Sequence, residues 1–194
     1  MRRLEAGEIL DLTAYEKVRD AFRSRIIALK NDRRVAVGDR LSFLFENRDT
    51  VSLQVHEMIR TERLVDPEAI AQELEIYNEL IPKDGELSAT LMIEIPDAGD
   101  IRTQLDRLIG IDEHVHLDIG AESVQATFDP KQFEEDRISA VQYVRFPLGP
   151  RLARDFVDPR IEIRLRVAHP AYVASTTLGE ATRRALARDL LPEG

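Results

Sequence analysis

Two histidines separated by a single residue, His114 and His116, have a spacing that could bind a metal ion. They lie in the segment IDEHVHLDI, which also carries Asp118. On a β-strand, residues that share a face stand about 6.6 Å apart, so both imidazoles could reach one divalent ion, whereas Asp118 is too far from His114 to join easily. A catalytic zinc or iron site is usually formed by three protein ligands and an open coordination position. The remaining ligands would come from elsewhere, and the candidates are His56, Glu57 and Glu94.

The same segment also fits an ordinary amphipathic strand. Val115, Leu117 and Ile119 alternate with the polar residues and would face a core. In this interpretation the histidines are solvated polar residues of the outer face, with no role in chemistry.

Two further groups of polar residues could bind a ligand. Glu57 lies with Gln54 and Thr61 along one flank of a predicted helix, where a carboxylate could line a pocket or make ordinary hydrogen bonds. In EEDRISAVQYVRF, three side chains could hold an anion: Arg137, Tyr143 and Arg145. Alternatively, Arg137 pairs with Glu134 or Asp136 and the strand simply packs.

Several chemistries are excluded by residue types. The chain has no cysteine, which removes disulfides, thiolate metal sites and cysteine nucleophiles. The nine glycines form no G-x-G-x-x-G, P-loop or G-x-S-x-G pattern. No cofactor is therefore identifiable, and a divalent metal is the one candidate that the residues leave open.

Charge and composition narrow the class of protein. A net charge of −9 repels polyanions, so we expect no nucleic-acid partner. The first residues, MRRLEAGEIL, carry two glutamates where a signal peptide needs an apolar stretch. No apolar run approaches the roughly 20 residues of a membrane helix. We predict a cytoplasmic protein without membrane contact, folded as a single domain over residues 1–194.

Local patterns predict the elements that position these residues. Helix starts are expected at Thr13, Thr50, Asp66–Pro67 and Thr177, and a hairpin turn is expected at Gly38–Asp39. Residues 129–137 and 147–160, rich in proline and charge, are the candidates for mobile connections. Alternating strands such as ELSATLMIEI and RIEIRLRV have one polar face each. They indicate an α+β fold with a mostly antiparallel sheet and helices packed on one face.

Three stretches together resemble an uncharacterised bacterial family, Domain of Unknown Function three-five-zero-one. They are LFENRDTVSLQVHEMIRTER, ELEIYNELIPKDGELSATLMIEI and EDRISAVQYVRFPL. The resemblance runs over nearly the whole chain. Its pattern fits His114 better than His116. It also makes six matching charged residues candidates for a binding surface, unless they form a structural ion-pair network: Glu46, Arg48, Asp49, Glu57, Arg60 and Arg137.

The resemblance also implies a metabolic context for the protein. Members of the family are often encoded beside rubrerythrin-like proteins and iron–sulfur or flavin oxidoreductases, which implies a redox or oxidative-stress role by association alone. The leading hypothesis is a non-enzymatic binding or accessory protein that docks on such a partner, with a homodimer as an open option. The alternative is a small metal-dependent enzyme using His114, His116 and a carboxylate such as Glu57.

Overall fold

The computed structural model describes residues 1–95, 101–129, 133–134 and 137–190, and at 133, 134 and 137 it describes the backbone only. Within these ranges the helices are α1 (Leu12–Asn31), α2 (Arg48–Glu62), α3 (Pro67–Asn78), α4 (Ile101–Asp106), α5 (Gly149–Val157) and α6 (Glu180–Leu190). None of these described helices is both long and apolar enough to cross a bilayer.

The described strands pair in antiparallel fashion throughout. They are β1 (Arg34–Val37), β2 (Leu41–Glu46), β3 (Glu86–Ile93), β4 (Val115–Ile119), β5 (Glu122–Gln125), β6 (Thr127–Phe128), β7 (Phe133–Glu134), β8 (Arg137–Ile138), β9 (Val141–Pro147), β10 (Ile163–His169) and β11 (Tyr172–Thr177). One sheet has the order β1-β2-β3-β9-β6, a second has the order β11-β10-β4-β5, and β7 pairs with β8. The α+β class with antiparallel strands is confirmed, although the strands form two main sheets where one was expected.

A single hydrophobic core joins the two main sheets. Phe45 and Leu91 of the five-stranded sheet belong to the same buried cluster as Leu117 and Leu165 of the four-stranded sheet. Because successive strand residues point to opposite faces, alternate positions of each strand supply this core. The helices α5 and α6 contribute Phe156 and other apolar residues to it.

The other face of the five-stranded sheet is covered by α1, α2, α3 and the N-terminal segment. A second buried cluster contains Val55 and Ile59 of α2, Leu74 of α3 and Leu4, and Tyr143 of β9 packs against it. Leu4 is held by Asn78, whose side-chain oxygen accepts from the Leu4 N–H at 2.8 Å and whose amide donates to the Leu4 carbonyl at 3.0 Å. These two hydrogen bonds tie the N-terminal segment to the last residue of α3.

Two helix starts differ from those expected. The cap of α1 is Asp11, whose carboxylate accepts from the Ala14 N–H at 2.8 Å, and Thr13 lies inside the helix. The cap of α2 is Asn47, which accepts from the Thr50 N–H at 3.0 Å, while the Thr50 hydroxyl accepts from the Asn47 N–H at 2.9 Å. A polar side chain caps only from the position before the first helical turn, and the composition of each segment offers several candidates for that position.

The segment 147–160 contains a helix where a connection was expected. Pro150 lies in the first turn of α5, a position at which its missing N–H leaves no hydrogen bond unmade. The Gly-Pro pair therefore starts a helix here and does not interrupt one. Thr177 was also misassigned as a cap, because it is the last residue of β11 and α6 begins at Glu180. The start predicted at Asp66 is confirmed, since its carboxylate accepts from the Ala69 N–H at 3.2 Å.

The predicted hairpin turn between β1 and β2 is confirmed, and it also joins the two sheets. Gly38 has a φ of 69°, and a Cβ at this position would lie 2.2 Å from the Tyr172 hydroxyl. That hydroxyl donates to the Val37 carbonyl at 2.7 Å and accepts from the Arg40 N–H at 3.2 Å. Only glycine leaves room for this contact from β11.

Candidate functional site

The two histidines of the HVH segment lie in different backbone settings. His116 lies on the outer face of β4, while Val115, Leu117 and Ile119 are buried, as the alternation predicts. His114 ends the short 3-10 turn before β4 with a ψ of 8°, so the strand alternation stops at Val115. The His114 ring packs edge-on against the ring of His169, with 5.2 Å between their centroids.

The carboxylate beside His116 already has a cationic partner. Arg166 donates to both oxygens of Asp118, at 2.7 and 2.9 Å, and Ser123 donates to it at 2.7 Å. Burial, followed by the charge of Arg166, lowers the pKa of His116 below its ordinary value. Within the described ranges, no group of three or more His, Asp or Glu side chains could hold a metal ion. A divalent metal stays a prediction, which elemental analysis of the untagged protein and then of a His114→Ala variant would test.

The charged residues on the first and last turns of α2 form ion pairs with the chain that precedes it. The pairs are Arg48 with Glu8, Asp49 with Arg25, and Arg60 with Glu16. All of these side chains are between about one third and just over one half exposed, a setting in which an ion pair contributes little to stability. Their arrangement is that of an ion-pair network linking α2 to α1 and the N-terminal segment, and a binding role for them stays a prediction.

Glu57 faces α1. Arg19 donates to both of its oxygens at 2.8 Å, and the Tyr15 hydroxyl donates to one of them at 2.6 Å. The Arg19 hydrogen bond is the main reason why the pKa of Glu57 falls to about 2. A metal-dependent enzyme that used Glu57 as a ligand would have to break this bidentate pair, which holds α1 against α2.

Glu46 is in a different environment from the other candidate residues. Its side chain, at the end of β2, is only 2% exposed. Three neutral groups donate to its carboxylate: the Thr50 hydroxyl at 2.5 Å, the Thr90 hydroxyl at 2.6 Å and the Gln54 amide at 3.1 Å. The structure therefore places a carboxylate inside the protein, held by dipoles supplied from β3 and α2.

Tyr143 and Arg145 share the face of β9 that carries a cavity of about 780 Å³. This cavity, the α3–β9 cavity, lies between α3 and the β6–β9 edge of the five-stranded sheet. Arg145 is held there by Glu86, at 2.5 Å, and by the backbone carbonyl of Glu79. The side chain of Arg137, the third member of the predicted anion-binding group, lies outside the described residues.

The walls of the α3–β9 cavity combine aromatic, aliphatic and acidic side chains. Its lining includes Tyr77 and Tyr143, and four acidic residues: Glu73, Glu75, Glu79 and Asp129. Phe128 also borders the cavity, but its ring packs against the core between the sheets. Ser88, which pairs with Arg145 across the sheet, lies at the floor. Burial raises the pKa of Tyr143, and Glu46 adds to that effect, so the Tyr143 hydroxyl stays protonated at neutral pH.

Sequence reasoning identified Tyr143 and Arg145 but missed the other walls of this cavity. Ser88 and Thr90 carry the one available signal, since these small polar residues alternate with Leu87, Ala89 and Leu91 along a strand that is buried on both faces. A polar face on a buried strand indicates a polar site or a cavity. The residues of α3, such as Tyr77, gave no signal because they follow the ordinary apolar spacing of a helix.

Comparisons with known proteins cover nearly the whole chain. A family model described as "Protein of unknown function (DUF3501)" matches residues 3–190. The chain belongs to this family. A crystal structure described as that of a novel protein of unknown function from Burkholderia pseudomallei K96243 is similar to it. The two share 33% identity and a TM-score of 0.91, over 97% of this chain and 100% of the other. No curated protein matches the chain.

His56 of this DUF3501 chain is a buried histidine with both ring nitrogens in use. Its Nδ1 lies 2.7 Å from the Ser52 carbonyl, to which it donates, and its Nε2 accepts from the Leu10 N–H at 3.1 Å. The ring also packs 4.8 Å from that of Tyr15. This arrangement requires a neutral imidazole, and burial lowers the pKa of His56 below 6.5.

We therefore expect acid to destabilise the protein through His56. Below its ordinary pKa of 6.5 the unfolded chain binds a proton that the folded chain does not, so this contribution is complete above 6.5 and falls as pH drops toward the folded pKa. Urea unfolding between about pH 7.5 and about pH 5.5 measures the slope. A His56→Gln variant should lose part of that slope, and an unchanged slope would contradict the assignment.

Proposed function

We propose that this protein is a non-enzymatic binding protein whose ligand occupies the α3–β9 cavity. The observation that carries the proposal is the cavity itself, about 780 Å³ in volume and built from both apolar and polar side chains. Binding pockets for small molecules are concave, mostly apolar and provided with a few polar groups that fix the ligand's orientation. Ile76 and Leu80 supply the apolar part, and Ser88 and Arg145 supply polar groups at the base.

The position of the cavity supports the proposal. One wall is a helix and the other is a sheet, so the side chains facing the ligand are fixed by regular secondary structure. Arg145 is held at two of its nitrogens, and Tyr143 packs against the buried cluster beneath the helices. Sites built on rigid elements bind with little ordering cost.

Blocking the cavity tests the proposal. Thr127 lines the cavity from the edge strand β6 and is exposed, so a Thr127→Trp substitution should fill the space without disturbing the core. The matched control is Val173→Trp, at a position that is 78% exposed on β11 of the other sheet. Both proteins and the parent chain are screened against one library of cationic, neutral and anionic fragments by ligand-observed NMR.

We expect fragments that bind the parent chain to bind Thr127→Trp at least about tenfold more weakly, a loss of about 1.4 kcal/mol, and to bind Val173→Trp unchanged. Fragments that bind both variants equally would place the binding elsewhere and overturn the proposal. A library that yields no binder to the parent chain would overturn it as well.

The family resemblance supports the rest of the proposal. We propose that the protein docks on a rubrerythrin-like, iron–sulfur or flavin oxidoreductase. We also propose that it forms a homodimer and is located in the cytoplasm. Co-purification from the native organism tests the partner, and recovery of no oxidoreductase would count against that part. Sedimentation of the purified chain tests the homodimer.

A further inference from the structure

We infer that the α3–β9 cavity takes an organic cation, a protonated amine carried on an apolar body. This inference rests on the proposed function and names the class of its ligand. Three independent features of the cavity support it: the balance of charge in its walls, an unpartnered hydroxyl at its floor and the aromatic rings around it.

The walls carry four carboxylates against one guanidinium. The acidic residues are Glu73, Glu75, Glu79 and Asp129, and the basic residue is Arg145. The charge of Arg145 is already compensated by Glu86. Glu79 pairs with Arg3 and lies 4.0 Å from Arg145, whereas Glu73 forms no ion pair with any described residue. Burial is the main cause of the raised pKa of Tyr77, and the charge of Glu73 adds to it. The cavity therefore favours a positively charged group and disfavours an anion.

Ser88 provides the second feature. Its side chain is 3% exposed and lines the floor of the cavity, yet its hydroxyl makes no hydrogen bond to another described residue. A ligand group that enters the cavity can therefore hydrogen-bond this hydroxyl. An ammonium group at this depth could donate one N–H to Ser88 and the others to the carboxylates above it.

The rings of Tyr77 and Tyr143 provide the third feature. The face of an aromatic ring attracts a cation, and the same rings bury the apolar part of an amine. Ile76 and Leu80 extend this apolar surface along α3. An inorganic cation would leave these groups unused, which is why the inference specifies an organic amine.

Three probes of similar shape and different charge test the ligand class: phenylpropylamine, phenylpropanol and phenylpropanoate. We expect the amine to bind the parent chain at least about tenfold more tightly than the alcohol, and the carboxylate to bind weakest. Titrations followed by NMR of the protein at neutral pH give the three dissociation constants. Thr127→Trp should abolish the binding of the amine.

A substitution that removes one negative charge from the cavity tests which carboxylate causes the preference for the amine. Glu73→Gln should weaken amine binding by roughly threefold or more and leave phenylpropanol unchanged, because only the amine interacts with the lost charge. Glu68→Gln is the matched control, since it removes a carboxylate from an exposed position of α3 that does not line the cavity. It should change neither affinity.

The outcomes distinguish a failure of the cation assignment from a failure of the proposed function. If phenylpropanol or phenylpropanoate binds as tightly as the amine, and Thr127→Trp still abolishes that binding, the cavity remains a binding site and the cation assignment is overturned. An amine preference that Glu73→Gln leaves intact would overturn it too. Amine binding that survives Thr127→Trp would overturn the proposed function along with the inference.

Discussion

Replacing Asp189 by alanine should lower the free energy of unfolding by about 3–5 kcal/mol, because it leaves a buried guanidinium without its counter-charge. Asp189 of α6 and Arg33, just after α1, form an ion pair in which both side chains are about 4% exposed or less. Arg33 also donates to the backbone carbonyls of Phe45 at 2.8 Å and Glu46 at 3.0 Å. The pair therefore joins the C-terminal helix to the end of β2.

Chemical unfolding followed by circular dichroism measures this loss. The matched control is Glu180→Gln, also on α6, whose pair with Arg184 is exposed on both sides and should change stability by less than about 0.5 kcal/mol. The double variant with Arg33→Ala should cost less than the sum of the two single substitutions, since neither charge is then left alone. A loss below about 1 kcal/mol in Asp189→Ala would contradict the prediction.

Replacing Glu46 by alanine should lower the free energy of unfolding by about 2–4 kcal/mol, because buried donors lose their acceptor. The Thr90 hydroxyl has no other acceptor among the described residues, whereas the Thr50 hydroxyl also lies 3.0 Å from the Asn47 carbonyl. Gln54 is half-buried and can turn toward water. The loss is therefore smaller than three complete hydrogen bonds would suggest.

Glu46→Gln distinguishes hydrogen bonding from charge at this position. The amide keeps one acceptor oxygen and can donate to a threonine hydroxyl, so we expect a loss of only about 1 kcal/mol. Glu62→Ala, at an exposed position of α2, is the control and should change stability by less than about 0.5 kcal/mol. Equal losses in Glu46→Gln and Glu46→Ala would show that the charge of Glu46, rather than its acceptor geometry, stabilises the fold.

The sequence by itself determined what depends on neighbours along the chain. The alternation of β4, the Gly38 turn, the Asp66 cap before Pro67 and the α+β class are all set by backbone geometry and side-chain period over a few residues. The family was predicted from three longer stretches of sequence, and membership is confirmed over residues 3–190. The cap of α1 was predicted at Thr13 but is Asp11. Such errors occurred where two nearby residues were both able to cap.

Only the tertiary structure decided which distant side chains meet. Strand alternation says which face a residue occupies but not which strand lies beside it, so the division into two sheets and the pairing of Asp118 with Arg166 were not predictable. The burial of Glu46 required β3 and α2 to supply its donors. The α3–β9 cavity likewise exists only because α3, which ends at Asn78, and a sheet edge that begins at Thr127 enclose one space.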